Sequence, residues 1–197
     1  DYLGAEVING KEVDDVISTR MYEGYKSGEK VIGISTDKDN RMTSGWLFIP
    51  DKSTEPMYID GFGSLYIDKS GSTDKVRGTG RMWLYMQCLI GDKVDGLCPR
   101  DIYEQLHGEK TRFGEKTAYN LIKGCKNDKE VLAKVVSQYK KWYGEDEFSY
   151  KDWTGKTHKV TWVDVLELYF LGVWMRQSEN DTMSMKKILK KMGMLDE

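Results

Sequence analysis

The sequence is poor in the residues that build soft-metal or nucleophilic centres. Its 197 residues include three cysteines and two histidines. Cys88, Cys98 and Cys125 form no Cys-x-x-Cys pair, and with only His107 and His158 beside them a structural zinc site is not supported. Reduced thiols are the plain reading. Neither histidine stands in a nucleophile context, which argues against a Ser-His-Asp centre. No apolar run approaches the roughly 20 residues that a membrane-spanning helix needs, and no signal peptide is recognisable at the start. There is no excess of one charge either. Lys and Arg total 30 against 32 for Asp and Glu, so the chain is not a polycation of the histone kind. Carboxylates or lysines must carry most of any chemistry.

What is present suits a folded chain. Hydrophobic residues make up 39% and aromatics 12%, too many for disorder. The length favours one domain, with room for an appendage. The first residue is Asp1, inside what reads as a structured segment, which points to a fragment or a processed product. Val13, Val16, Ile17 and Met21 have helical spacing within Lys11 to Tyr25. Lys30 to Ser35 reads as a short strand of the buried, parallel type. Trp46 to Ile49 and Met57 to Ile67 alternate as a hairpin or small sheet, and the Gly/Ser/Thr-rich stretch from Lys69 to Gly80 reads as a mobile loop. Met82 to Ile90 is an apolar helix ending at Gly91. Beyond Pro99 the pattern is mainly helical: Arg100 to Leu106, Glu115 to Ile122, Asp128 to Trp142, Trp162 to Arg176 and a basic amphipathic tail, Ser184 to Met192. Gly144 to Lys159 is polar, with a turn at Gly155. The fold class is therefore α/β, followed by a mainly helical region.

Three acidic clusters stand at element boundaries. Glu12, Asp14 and Asp15 open the first helix, where carboxylates also suit the helix dipole. Asp37 and Asp39 follow the predicted strand, at the end of which open α/β sheets place ligands; if the strand continues, they point the same way. Asp92 and Asp95 follow the apolar helix. Pairs of this kind arise by chance on solvated surfaces, and the three together say more than each alone. Seven carboxylates brought together could not all stay ionised without cations. Hard oxygen ligands suit Mg²⁺ or Mn²⁺. Two such ions about 3.5–4 Å apart would clamp the attacking and leaving oxygens of a phosphodiester.

The ordered strings Gly10-Lys11-Glu12-Val13-Asp14-Asp15, Thr36-Asp37-Lys38-Asp39, Gly91-Asp92-Lys93-Val94-Asp95 and Phe113-Gly114-Glu115-Lys116-Thr117-Ala118 resemble the 5′ nuclease family. That family includes flap endonucleases, the 5′ nuclease domains of bacterial DNA polymerases and phage 5′→3′ exonucleases, and the phage branch is nearest in style. The resemblance covers about residues 8–125. It implies Glu12, Asp14 and Asp15 at one metal, and Asp37, Asp39, Asp92 and Asp95 around a second. It implies a PIN-like parallel-sheet core over residues 1–96, incomplete at its front, and a DNA-binding region over 97–197 with a helix–three-turn–helix. Gly114, Lys116 and Thr117 match the turn of that motif, which in family members often holds K⁺ as well. The residues agree with this, since a glycine turn entering a helix presents backbone N–H groups to an anion, although a plain turn and cap would look the same.

Arg77 and Arg81 are further candidates for phosphate contact. Trp142, Trp153, Trp162 and Trp174 could stack on bases; all but Trp153, which lies in a polar stretch, have the spacing of packing residues. The expected activity is Mg²⁺-dependent hydrolysis of duplex DNA ends or 5′ flaps, in the cytoplasm of a phage-infected bacterial cell and with no membrane partner. The family's first strand, its Asp and the helical arch do not precede Asp1, so an N-terminal half of the same nuclease is an expected partner. Gly96 stands where the family has Asn, Asn40-Arg41-Met42 replaces Leu-x-Gln, and the stretch from Gly96 to Phe113 is longer than usual. The alternative is a non-catalytic DNA-binding or scaffolding module with the same fold.

Overall fold

A computed structural model describes residues 7–92 and 96–196. Helix α1, Val13–Ser27, opens with Asp14 and Asp15 in its first turn and ends on Gly28 in the left-handed conformation, φ 77°. The chain then forms β1, Ile32–Ile34, and a single 3-10 turn, Asp39–Met42. Strand β2, Gly45–Phe48, pairs in parallel with β1, Ile32 opposite Trp46, and antiparallel with β3, Met57–Ile59.

Strand β1 differs from the predicted two-sided burial. It is an edge strand of the order β1-β2-β3, and only Gly33 is buried; Ile32 and Ile34 are exposed. Helix α1 covers one face alone, so an apolar run that suggests burial on both faces is buried on one. Gly33 is required by that cover. A Cβ there would lie 2.2 Å from the Met21 sulfur, so the helix can settle on the strand only because the side chain is missing. Met21, Leu47, Ile49 and Ile59 form the small core beneath.

Strands β4, Leu65–Asp68, and β5, Lys75–Gly78, form a hairpin; β4 falls at the end of the segment predicted as sheet, and β5 lies in the segment predicted as a loop. Its composition is turn-like only between the strands, where Asp68 accepts from the Ser70 amide and hydroxyl. Val76 is buried, and the edge of β5 is tied to another element, as described below. Helix α2, Gly80–Ile90, is buried from Met82 through Leu89, as an all-round apolar helix should be. Around it pack α3 (Pro99–His107), α4 (Glu115–Ile122), α5 (Asp128–Tyr143), α6 (Trp162–Val173) and α7 (Met185–Lys191), sharing one core with α2.

Strands β6, Phe148–Lys151, and β7, Thr157–Val160, make a second hairpin in the stretch that reads as polar. Helix α6 starts at a reciprocal Thr161–Asp164 capping box and stops at Val173, before the predicted Arg176. Trp174 turns to extended backbone, and the chain beyond it runs to α1. The architecture is mixed α/β, with small sheets beside a helical core.

Candidate functional site

Glu12 is the N-cap of α1, and Asp14 and Asp15 occupy its first turn. The end of β1 brings Asp37 and Asp39 to the same place, though not by continuing the strand. The Ser35 hydroxyl accepts the Asp37 amide at 3.0 Å, and the Asp37 carboxylate accepts the Asp39 amide at 2.7 Å. The chain thus bends into the 3-10 turn, and both carboxylates still face one opening. Glu12, Asp14, Asp15, Asp37 and Asp39 line a single cleft of about 600 Å³, whose far wall is the chain from Leu171 to Arg176. Arg176 closes it. Its guanidinium lies 3.3 Å from Asp15, whose carboxylate also accepts the Arg176 amide at 3.0 Å.

Asp37 and Asp39 also line a second cleft, of about 430 Å³, together with Asp92 and the cations Lys38, Arg41, Lys52 and Arg77. Asp92 is 7% exposed and is placed by the end of α2. Gly91, with φ 71°, turns the chain there, and its missing Cβ would meet the Leu97 carbonyl at 2.1 Å. The Lys38 ammonium donates to Asp92 and lies 3.4 Å from Asp39. Burial works to lower the Lys38 pKa, but the Asp92 hydrogen bond and the Asp39 charge outweigh it and hold the ammonium above the ordinary lysine value. Burial raises the Asp39 carboxyl above the usual carboxylate range, helped by the neighbouring Asp37 charge and only partly opposed by Lys38.

Two fully buried amides brace these carboxylates. Asn40 donates to Asp14 at 2.9 Å and to Ser35 at 3.1 Å, and Gln87 donates to Asp39. The carbonyl oxygens of both amides have no hydrogen-bond partner. Sequence reasoning missed them. Gln87 carries a usable signal, as the one amide side chain in the apolar and aromatic run from Met82 to Leu89.

The donor set in the two clefts is all oxygen, which fits a hard divalent cation and not zinc. Among the described residues no three carboxylate, thiol or imidazole groups are gathered into a ready cage. Between Asp39 and Asp92 stands the Lys38 ammonium instead. Asp95 lies outside the described residues.

No protein family, curated protein or solved structure matches this chain.

The other candidate residues lie apart from the clefts, with two exceptions, Trp174 in the far wall of the first and Arg77 at the second. Arg77 faces the second cleft. Arg81 does not; its guanidinium makes a two-point contact with Asp128, at 2.7 and 2.9 Å, and lines a separate cavity with Tyr22 and Tyr25. Gly114 is the N-cap of α4, in extended backbone that any residue adopts. Glu115 accepts the Val76 amide of β5 at 2.8 Å, and Lys116, 72% exposed, sits 3.8 Å from Asp74. Thr117 lines a cavity of about 660 Å³ with Arg112, Gln138 and Lys141. His107 and His158 serve locally, on the Trp142 carbonyl and on Asp152. The three cysteines are buried and unpaired. Among the described residues no helix is long and apolar enough to cross a membrane.

Proposed function

We propose that the chain is the carboxylate-bearing part of a metal-dependent nuclease that hydrolyses DNA phosphodiesters, of the 5′→3′ exonuclease or flap endonuclease type. One observation carries this reading: Asp37 and Asp39 form a common wall between a carboxylate cleft and a cleft edged by four cations. Glu12, Asp14 and Asp15 would hold one Mg²⁺ or Mn²⁺ and Asp37, Asp39 and Asp92 the other. Bound there, the ions would activate water and neutralise charge on the leaving oxygen.

The chain's own groups account for the rest. Lys52, Arg41 and Arg77 supply positive charge on the side where a phosphodiester would enter. Asn40 and Gln87 fix Asp14 and Asp39 with buried amide donors, so these carboxylates need little reorganisation when a cation arrives. Lys38 neutralises Asp92 and Asp39 and must yield when a metal takes them. The turn at Gly114, Lys116 and Thr117 belongs to the same proposal as a contact to duplex backbone, with K⁺ as its companion ion.

The test is a nuclease assay on blunt duplex and on 5′-flap DNA, in Mg²⁺ and in EDTA. It uses the chain alone and the chain joined to the N-terminal half that the family resemblance implies. Asp37 is exposed, so Asp37→Ala tests the chemistry without disturbing the core. Cleavage should need Mg²⁺ and should fall at least about a hundredfold in that variant, on the scale of a lost metal ligand. Normal cleavage by Asp37→Ala overturns the metal assignment. The Lys38–Asp92 contact supports a second reading, in which the carboxylates are neutralised internally and the chain binds DNA without hydrolysing it; DNA binding with no cleavage in any of these conditions selects it.

A further inference from the structure

Trp153 is 96% exposed, more than any other large hydrophobic side chain among the described residues. It stands at the tip of the β6–β7 hairpin, and the hairpin is built to keep it there. The three-residue loop Trp153-Thr154-Gly155 closes with the Asp152 amide on the Lys156 carbonyl, and Gly155 takes the left-handed conformation, φ 83°. The Asp152 carboxylate accepts from the Thr154 amide and hydroxyl at 2.9 and 2.6 Å, the Lys156 amide at 3.1 Å and the His158 ring at 2.7 Å. At the base, the Gln105 side chain on α3 grips the Lys151 backbone with a donor and an acceptor, both at 3.0 Å. Phe148 on the inner face stacks on Tyr143 at 5.2 Å. These ties fix the loop backbone that carries Trp153 at the tip.

The surroundings of Trp153 identify what it meets. A tryptophan that anchors a protein interface is ringed by apolar groups, and lysine is depleted there. Here Thr154, Gly155 and Lys156 are its exposed neighbours at the tip, and Lys151 and Lys159 project from the outer face. Lys159 is shared with Glu147 at 2.5 Å, whereas no ion pair holds Lys151 or Lys156 among the described residues. A flat π-surface flanked by free ammonium groups complements one class of molecule, a nucleobase attached to a phosphate backbone.

We propose that the β6–β7 hairpin is a second nucleic-acid contact, in which Trp153 stacks on an unpaired base while Lys151 and Lys156 bind the adjoining phosphates. The proposal deepens the nuclease reading and rests on it for the choice of nucleic acid as substrate.

The experiment is a titration of the whole chain with a short thymidine oligonucleotide in EDTA, where no cleavage takes place, followed by tryptophan fluorescence. Trp153 emission, obtained as the difference between wild type and Trp153→Phe, should be quenched at saturation. Trp153→Ala should weaken binding roughly five- to hundredfold and Trp153→Phe much less, the range for losing one stacked base. Lys151→Gln with Lys156→Gln should reduce the slope of log affinity against log salt by about 0.7 per lysine removed. Unchanged affinity in Trp153→Ala, or emission unmoved by saturating oligonucleotide, overturns the proposal. Quenching in a chain that never cleaves DNA would remove the nuclease reading alone, and cleavage without quenching would remove this one alone.

Discussion

The ammonium of Lys38 is hydrogen-bonded to the buried carboxylate of Asp92, fifty-four residues away in sequence. It joins the turn after β1 to the end of α2 and supplies the cation that Asp92 and Asp39 need. In Lys38→Met both carboxylates lose that charge. Lys38 is 41% exposed, so the loss in EDTA should be modest, about 1 kcal/mol. Because its folded pKa is raised, this contribution is fully present below the ordinary lysine value and is lost only as pH rises through the folded one. If the same carboxylates bind metal, Mg²⁺ should raise the melting temperature of Lys38→Met more than that of the wild type. Equal Mg²⁺ responses would separate the lysine from any metal site.

Asp128 accepts from Arg81 at two points and from the Tyr85 hydroxyl at 2.8 Å. Burial raises the Asp128 carboxyl, but the Arg81 and Tyr85 hydrogen bonds outweigh it and hold it below the usual range. A depressed carboxylate contributes stability above its unfolded value, near 3.8, and loses it as pH falls through the folded value. Asp128→Asn should therefore be destabilised by roughly 1–3 kcal/mol at pH 7. Denaturant melts at a series of pH values should show the gap from wild type closing below about pH 4. A gap that stays constant into acid would assign the effect to packing.

Gly33→Ala places a methyl group against the Met21 side chain and should cost about 1–3 kcal/mol. Met21→Ala alone opens a cavity in the small core and should also destabilise, by roughly 2–5 kcal/mol. The double variant should be more stable than the sum of the two losses predicts, because the added methyl enters the space left by the sulfur. Additive losses in a double-mutant cycle would mean that α1 does not lie against β1 as described.

Helices were the legible part of this sequence. Glu115–Ile122 matches the periodic segment at both ends, and α1, α2, α3, α5 and α7 fall within two residues of theirs. Helical spacing is a local signal and survives without knowledge of partners. The antiparallel pair of β2 and β3 was legible in the alternation of Trp46–Ile49 and Met57–Ile67, whereas β5 and the β6–β7 hairpin were not, because they are fixed by cross-strand pairing and by anchors such as Glu115 and Gln105 that sit elsewhere in sequence. The apolar run at Ile32–Ile34 gave the strand but not its exposure, which depends on what covers each face. At the site, five acidic residues predicted from two motifs do line one cleft. The groups that brace them were invisible for another reason. Asn40 and Arg176 have ordinary neighbours, Gln87 stands out only as a lone amide in an apolar run, and the roles of all three exist only once α1, α2 and the chain after α6 meet.

Helix α2 holds Asp128 through Arg81 and Tyr85 near its start, Asp39 through Gln87 near its end, and carries Asp92 two residues beyond its last turn. Its backbone is sealed inside the largest core, so its amides can exchange with solvent only when that core opens as a whole. Asp39 and Asp92 are therefore tied to the opening of that core more than to local breathing. A change that loosens the helical core at any point would blur the positions of Asp39 and Asp92 before it visibly unfolded the chain.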